Sequence, residues 1–574
     1  MQIGSSRVAL AWIAVAALAG TARAAPPPKP IGPPTVEPPP SAPVDPDADD
    51  ADPDPTAKPP IDLTLTPTKD PAAAPPTTPP RIAAKNVPDP GDDPTFEFHE
   101  DKHYLTALIL GGAVIVIPTI YYWSTKDKQK VDWTLEWDRE SWKKKLITFD
   151  AVRFDTNRFH VNSVRHTGIG LLQYQIGRAN GIGMFGSTVL AFGLGAYWEY
   201  IVEYREAPSL NDIIMNTVGG ISVGEPLYQI GQIWRGGKMS ISDRIRSAGF
   251  SPFDVVHDLI HDQPNWGRPR YAHRAFFSAG VSATRFDDAS IRHETAIRGD
   301  IDVVNHGNYS RSGPRSADIR PGAWSRVAGE MRFGELEGST SRVDTSFRSQ
   351  TTIAGHYSQD GEGHGILVAL GTAFTYDRMR IGQEWDRVGI GHLAGPQVQL
   401  SLRRPGLAVR YDGAAYANFG QIQAHAIVSR PFPATELLYS TLQAQNYYNG
   451  WGGSLTSRLR IDSGSWSFDF EAQHHRLYQI NGRDRVAPGS LVTDGVTRED
   501  TVYLVPHGAA DTRTFWRSAV NYHVKRGAFG VALHVNGSTL TGTWNDLARS
   551  SSTLSVGLAL TVDIDGLRGV LTPL

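Results

Sequence analysis

From about Arg274 onward, apolar and polar residues alternate with a period of two. Leu554, Val556, Leu558, Leu560 and Val562 fall on one side, and Ser555, Gly557, Ala559, Thr561 and Asp563 on the other. The same rule sorts Trp466, Phe468 and Phe470 from Ser467, Asp469 and Glu471, and Leu407, Val409 and Tyr411 from Ala408, Arg410 and Asp412. Successive side chains of a strand point to opposite faces, so this pattern predicts strands whose two faces meet different surroundings. Repetition every ~20 to 25 residues, with one face apolar or aromatic and the other small, polar or charged, suits lipid outside and a polar lumen inside. A soluble β-sandwich would bury the apolar faces in a shared core. The aromatic-rich strands and long connections such as Asn305 to Ala323 favour an antiparallel transmembrane barrel of about 12–14 strands over residues 270–574.

Upstream the grammar changes to helical. Apolar runs predict helices at Ser163–Arg178, Gly183–Tyr204 and Leu210–Val218 within a glycine-rich domain, residues 133–250. Gly168, Gly170, Gly177, Gly186, Gly193 and Gly195 would let helix backbones approach closely. Residues 96–132 hold the nearly uncharged stretch Leu105–Trp123, followed by Lys126, Lys128 and Lys130. Its length suits a spanning helix. A halt in export there would strand the barrel strands, so the expectation is a segment buried within the protein or against the barrel. Gly111-Gly112, Pro118 and the β-branched run Val114–Ile117 leave both a helix and a hairpin open.

The first 24 residues read as a secretory signal peptide, with Arg7, an apolar run Val8–Leu18 and the small-x-small site Ala22-Arg23-Ala24. Residues 25–95 are rich in proline and aspartate, as in Asp45-Pro46-Asp47-Ala48-Asp49-Asp50. Such a stretch buries too little apolar surface to offset its ordering entropy, and predicts a disordered periplasmic linker with a reach on the order of 200 Å. The linker is where peptidoglycan or periplasmic proteins would be met. The chain has no cysteine, which excludes disulfides, thiolate chemistry and cysteine lipidation. A net charge of −3 gives no support to a nucleic-acid partner, and no motif calls for a cofactor. The fold class is therefore α+β: an outer-membrane barrel with a helical domain packed at or in it, behind a disordered linker, with outer-membrane lipid as its surroundings.

The helical region carries a resemblance. Phe154-Asp155-Thr156-Asn157-Arg158-Phe159, His166-Thr167-Gly168-Ile169-Gly170 with Tyr174, and Arg178-Ala179-Asn180-Gly181 resemble the bacterial domain-of-unknown-function family 3943. So do Trp198-Glu199, Glu203, Pro208 through Ile214, and Gly219-Gly220 leading to Gly224-Glu225; the resemblance spans residues ~133–232. A weaker similarity, to the VanZ-like membrane proteins, rests on Asp212 through Gly220. The resemblance implies an envelope protein with a barrel-like remainder, and no particular activity.

Polar residues set among these apolar faces form the candidate site: His160, His166, Arg178, Glu199, Glu203, Asp212, Asn216 and Glu225. Unpaired buried charge is expensive, so they are expected to converge. Glu199 and Glu203 stand one turn apart, suited to sharing a proton or metal, or to pairing with Arg178 or Arg205. Ser209 and Asp212 have capping-box spacing. Gly220-Ile221-Ser222-Val223-Gly224 and His99-Glu100-Asp101-Lys102-His103 have the Gly-x-Ser-x-Gly and His-Glu-x-x-His spacings. The first follows no expected strand and the second precedes the apolar stretch at Leu105, so neither stands where a nucleophile elbow or a metal-binding helix is expected; a phosphate loop is absent from the sequence. Two functions remain: a non-enzymatic barrel whose helical plug or docking domain is held by a polar network, serving envelope transport or organisation, and an enzyme acting on lipid or lipopolysaccharide. A plug would need its charges saturated, in part by lumen groups such as Arg458, Arg460 and Asp469.

Overall fold

The computed structural model describes residues 101–125, 135–155, 157–235, 240–261, 272–305, 313–336, 339–381, 384–427, 442, 446–480, 508–524 and 528–565. The signal peptide, the linker and the basic connection at Lys126–Lys130 lie outside the described residues.

The C-terminal half is one antiparallel sheet that closes on itself. Its strands are β1 (Ala272–Phe286), β2 (Ile291–Val304), β3 (Arg315–Ile319), β4 (Trp324–Leu336), β5 (Ser339–Gln359), β6 (Gly365–Ile381) and β7 (Glu384–Arg404). They continue as β8 (Leu407–Gln423), β9 (Tyr447–Ser463), β10 (Trp466–Gln479), β11 (Ala510–His523), β12 (Phe529–Trp544) and β13 (Leu547–Asp565). Each strand pairs with its sequence neighbour, except that β2 pairs with β4 and β3 with β5 alone, and β1 pairs with β13 from Arg274↔Asp565 to Phe286↔Thr553. The short β3 and the longer β4 lie end to end along β5, against Gly355–Gln359 and Ser339–Thr351 respectively. Thirteen strands thus make twelve staves among the described residues, and the pairing of β1 with β13 closes the barrel.

Ion pairs between staves that are not neighbours identify the lumen. Arg298 on β2 reaches Glu471 on β10 (3.2 Å), Arg458 on β9 reaches Asp302 on β2 (3.0 Å), and Arg517 on β11 reaches Glu330 on β4 (2.8 Å). These groups share parity with Ser555, Gly557, Ala559, Thr561 and Asp563, so the polar set faces inward. Leu554, Val556, Leu558 and Leu560 are exposed on the outer surface, as are Phe277, Val281, Val531 and Leu533. Leu558→Arg should therefore impair assembly, because arginine at mid-membrane depth on a lipid-facing strand costs about 2–4 kcal/mol, whereas Ala559→Ser should be tolerated. Heat-modifiable gel migration measures the difference, and equal tolerance would remove the assignment of faces.

The lumen is crowded. One cavity in it holds about 110 Å³, lined by Glu294, Arg298, Glu330, Arg332, Arg348 and Glu471 among others. Toward one end, Val388, Ile390, Ile422, Tyr448 and Leu477 point inward and pack with Ala424, Ile427 and Leu442 of the β8–β9 connection.

The helices precede the barrel: α1 (Tyr104–Ser124), α2 (Arg139–Leu146), α3 (His166–Ala179), α4 (Met184–Tyr197), α5 (Leu210–Gly219), α6 (Glu225–Ile233), α7 (Ile241–Phe250) and α8 (Pro252–His261). Single π-helical turns lead into α3 (Val161–Arg165), extend α4 (Trp198–Val202) and join α5 to α6 (Gly220–Gly224). The third expected helix therefore runs on past Val218. Gly219 and Gly220 do not end it; Thr167 passes too close to Gly219 for a side chain, and Gly220 packs tightly against Gly170, Tyr174 and Ala191.

Leu105–Trp123 forms the single helix α1, which leans on α3 and α4 through Ala107, Leu110, Gly111 and Ile115. The expectation of a segment buried within the protein is corrected. Only 22% of its most apolar window is buried, and Leu105, Leu108, Ile109, Val116 and Ile120 are exposed. By length and composition α1 is able to cross a membrane. Phe185, Val189 and Phe192 of α4 are exposed as well.

Candidate functional site

Between the two placements left open, the helical domain packs at the barrel wall, on its outer surface. Phe374 and Phe419, whose parity is outward, cluster with Phe154, Met215 and Val223. Gly389 and Gly391 of β7 lie flush against Ser163 and Val218, where a Cβ would meet those side chains at 2.5 and 2.8 Å. A bulge between Thr352 and Ala354 in β5 accompanies the packing of Ile353 against Tyr174, Met184 and Ala191. Arg458 and Arg460 are engaged by Asp300, Asp302, Asp462 and Asp563 of the strands.

The candidate residues fall into two buried networks. The first is centred on Asp155, whose carboxylate accepts from the side-chain amides of Asn157, Asn162 and Asn211, the last at 2.9 Å. The Asp155 backbone N–H donates in turn to Asn211 Oδ1 (2.9 Å), which also accepts from Ser209 Oγ (2.9 Å). Asn211 Nδ2 reaches Asp212 Oδ1 (2.9 Å), and Asp212 Oδ2 lies 3.3 Å from His166 Nε2. Glu199, 1% exposed, accepts the Ser209 backbone N–H at 2.8 Å. Asn216, also buried, lies against Gly170 and Gly195, whose missing side chains leave room for it. His166, Glu199, Asp212 and Asn216 thus occupy one region, and Tyr447 of β9 ties it to the wall: its hydroxyl donates to the Asn157 carbonyl (2.6 Å) and accepts from Asn162 (3.0 Å).

The second network surrounds Glu225, which is fully buried. It accepts from Arg178 Nε (2.8 Å) and Nη2 (3.3 Å), Tyr174 (2.6 Å) and Gln229 (2.7 Å). The Arg178 guanidinium also stacks over Tyr228 at 4.6 Å. Gly322, between β3 and β4, lies directly over this carboxylate with φ +79°, where a Cβ would come within 2.1 Å of Glu225 Oε1. The break between β3 and β4 is therefore where α6 meets the wall.

Two readings from the sequence, the Ser209 cap and the arginine pairings, are corrected by this geometry. Ser209 precedes α5 without a side-chain cap, and the Asp212 carboxylate turns to His166 and Asn211. The Glu203 carbonyl lies 3.4 Å from Lys145 Nζ, beyond the π turn at Trp198–Val202. Arg178 pairs with Glu225, while Arg205 pairs with Glu136. His160 is exposed and joins neither network. Asp155, Asn162, Ser209, Asn211 and Tyr174 escaped the candidate set, although all but Asn162 stand inside the family motifs. Acids and amides beside aromatic and helix-starting residues look like surface or capping groups until the fold buries them.

Chemically, the carboxylates of both networks meet donors among the described residues, and Ser222 of the Gly-x-Ser-x-Gly string, within a π turn, donates to the Val218 carbonyl. Ser209 Oγ is committed to Asn211, and among the described residues Asn162 Oδ1, His166 Nδ1 and Asn216 Oδ1 have no hydrogen-bond partner. Catalysis by acid, base and nucleophile needs all three within reach of one another.

Fold and site together define a transmembrane β-barrel that carries a helical domain on its outer wall. Residues 151–253 match the model of a family described as a domain of unknown function, DUF3943. No curated protein matches the chain. Among solved structures, the translocator domain of the autotransporter NalP from Neisseria meningitidis is 12% identical, with TM-score 0.19, over 50% of this chain and 88% of that one. An outer membrane channel from Pseudomonas putida F1 is 11% identical, with TM-score 0.22, over 52% and 97%. OprD from Pseudomonas aeruginosa is 10% identical, with TM-score 0.17, over 51% and 96%.

Proposed function

We propose that this protein is an outer-membrane barrel whose helical domain is a docking module, held against the wall by buried polar networks and serving envelope transport or organisation. The observation that carries the reading is the seam itself: Asp155, Asn162 and Glu225 engage the helices on one side, and Tyr447 and Gly322 belong to the barrel on the other. α1 and α4 expose apolar residues, as the outer face of the barrel does, and on this reading the module shares the bilayer with it, with lipid as its surroundings. The linker lies in the periplasm, available to peptidoglycan or periplasmic proteins. A lumen crossed by ion pairs suits transport coupled to a change of state better than free diffusion.

Glu199 separates this from catalysis on lipid or lipopolysaccharide. Glu199→Ala leaves the Ser209 N–H unpaired in a buried site at a cost of about 1–3 kcal/mol, and should reduce the heat-modifiable fraction. Glu199→Gln keeps an acceptor and should assemble, with phospholipid and lipopolysaccharide masses unchanged in both variants. An assembled Glu199→Gln protein with altered lipids would overturn the proposal in favour of an enzyme.

A further inference from the structure

Three histidines outside both networks meet where the described helical domain begins and ends. His103 immediately precedes α1, and His257 and His261 stand one turn apart on α8; ring nitrogens of the three lie within 4.8 Å of one another. Ring centroids are 4.0 Å apart for His103 and His261, 4.5 Å for His257 and His261, and 4.9 Å for His103 and His257. The i, i+4 spacing on one helix puts two imidazoles on the same face, and a third from another element completes a set of three neutral nitrogen donors.

The surroundings orient these rings. Asn180 Nδ2 donates to the Ile176 carbonyl (2.7 Å), so Asn180 Oδ1 is the atom that faces His257 Nδ1 at 3.0 Å. That contact places the proton on Nδ1 and leaves Nε2 with its lone pair, the partner-fixed tautomer typical of metal-bound histidine. The Asn180 carbonyl also accepts the His103 backbone N–H at 3.0 Å, so one residue positions two of the three. Thr106 Oγ1 lies 2.9 Å from His261 Nε2, which leaves Nδ1 of that ring for a ligand. The nearby guanidinium of Arg235 is occupied by Asp258 (2.6 Å) and Asp254 (4.0 Å), so its charge is balanced on α8 itself.

We propose that His103, His257 and His261 bind a divalent transition metal of the zinc class, as a clasp between the entry to α1 and the last helix before the barrel. Three imidazoles with a fourth position left to water suit an ion of borderline softness. Metal–nitrogen bonds of about 2.1 Å bring tetrahedral donors to ~3.4 Å from one another, a closure made by side-chain torsion.

The test uses the full chain in detergent, stripped with chelator and titrated with Zn²⁺. The expected result is one equivalent bound, with affinity at least about 100-fold weaker in His257→Ala and in His261→Ala, while heat-modifiable migration is unchanged. Absence of stoichiometric binding, or undiminished binding in the His257→Ala/His261→Ala protein, overturns the proposal. Should a variant fail to assemble, Cu²⁺ bound to the unaltered protein decides the matter. Its electron paramagnetic resonance spectrum should show three imidazole nitrogens, and fewer would refute the site.

Discussion

Glu225→Leu is expected to cost about 3–5 kcal/mol, because it strands the Arg178 guanidinium in a buried site without its counter-charge. Arg178 gives Glu225 two of its hydrogen bonds, and the same carboxylate accepts from Tyr174 and Gln229. Leucine satisfies none of these donors, and its branched end would press on Gly322 at the break between β3 and β4. The loss should appear as undocking of α6 from the wall, read as new protease cleavage in the helical domain and as a lower yield of assembled protein. Arg178→Met combined with Glu225→Leu should recover much of the loss, since replacing both partners of a buried pair by apolar groups is often close to neutral. A single variant as resistant to protease as the unaltered protein would show that this pair does not hold the domain in place.

Asp155→Ala is expected to have a comparable effect on the other side of the seam. Its carboxylate holds the amides of Asn157, Asn162 and Asn211 at once, and each of those asparagines also meets Tyr447 or Asp212. Removing it leaves one N–H of each of the buried Asn162 and Asn211 amides unpaired at about 1–3 kcal/mol each, so the sum should reach a few kcal/mol. Asp155→Asn keeps an acceptor and should be milder. Tyr447→Phe removes only the hydroxyl link to the wall and should lower stability by about 1 kcal/mol, without unfolding α3 or α5. The measurement is the denaturant midpoint for loss of the helical signal, followed separately from loss of the barrel. If Asp155→Ala left that midpoint unmoved, the network would contribute nothing to the domain.

The barrel was legible because period-two alternation is a local property. Whichever stave partners Leu558, its neighbours Gly557 and Ala559 must point the other way, so the inner and outer faces followed from the sequence alone. The helices at Ser163, Gly183 and Leu210 were legible for the same reason, and the need for buried charges to find partners drew attention to His166, Glu199, Asp212 and Glu225. Pairing is another matter. A chain of this length offers Arg178 several carboxylates, and only the docking of α3 against α6 selects Glu225 over Glu199. The π turn at Trp198–Val202 is a shift of one residue in hydrogen-bond pattern that local periodicity does not register. Nor does periodicity say which apolar surface covers which. Phe374 and Phe419 read as lipid-facing positions like any other on their strands, and only the tertiary structure decided that the helical domain covers them. Alternation determines the direction in which a side chain points; what waits there depends on segments hundreds of residues away, brought together by packing.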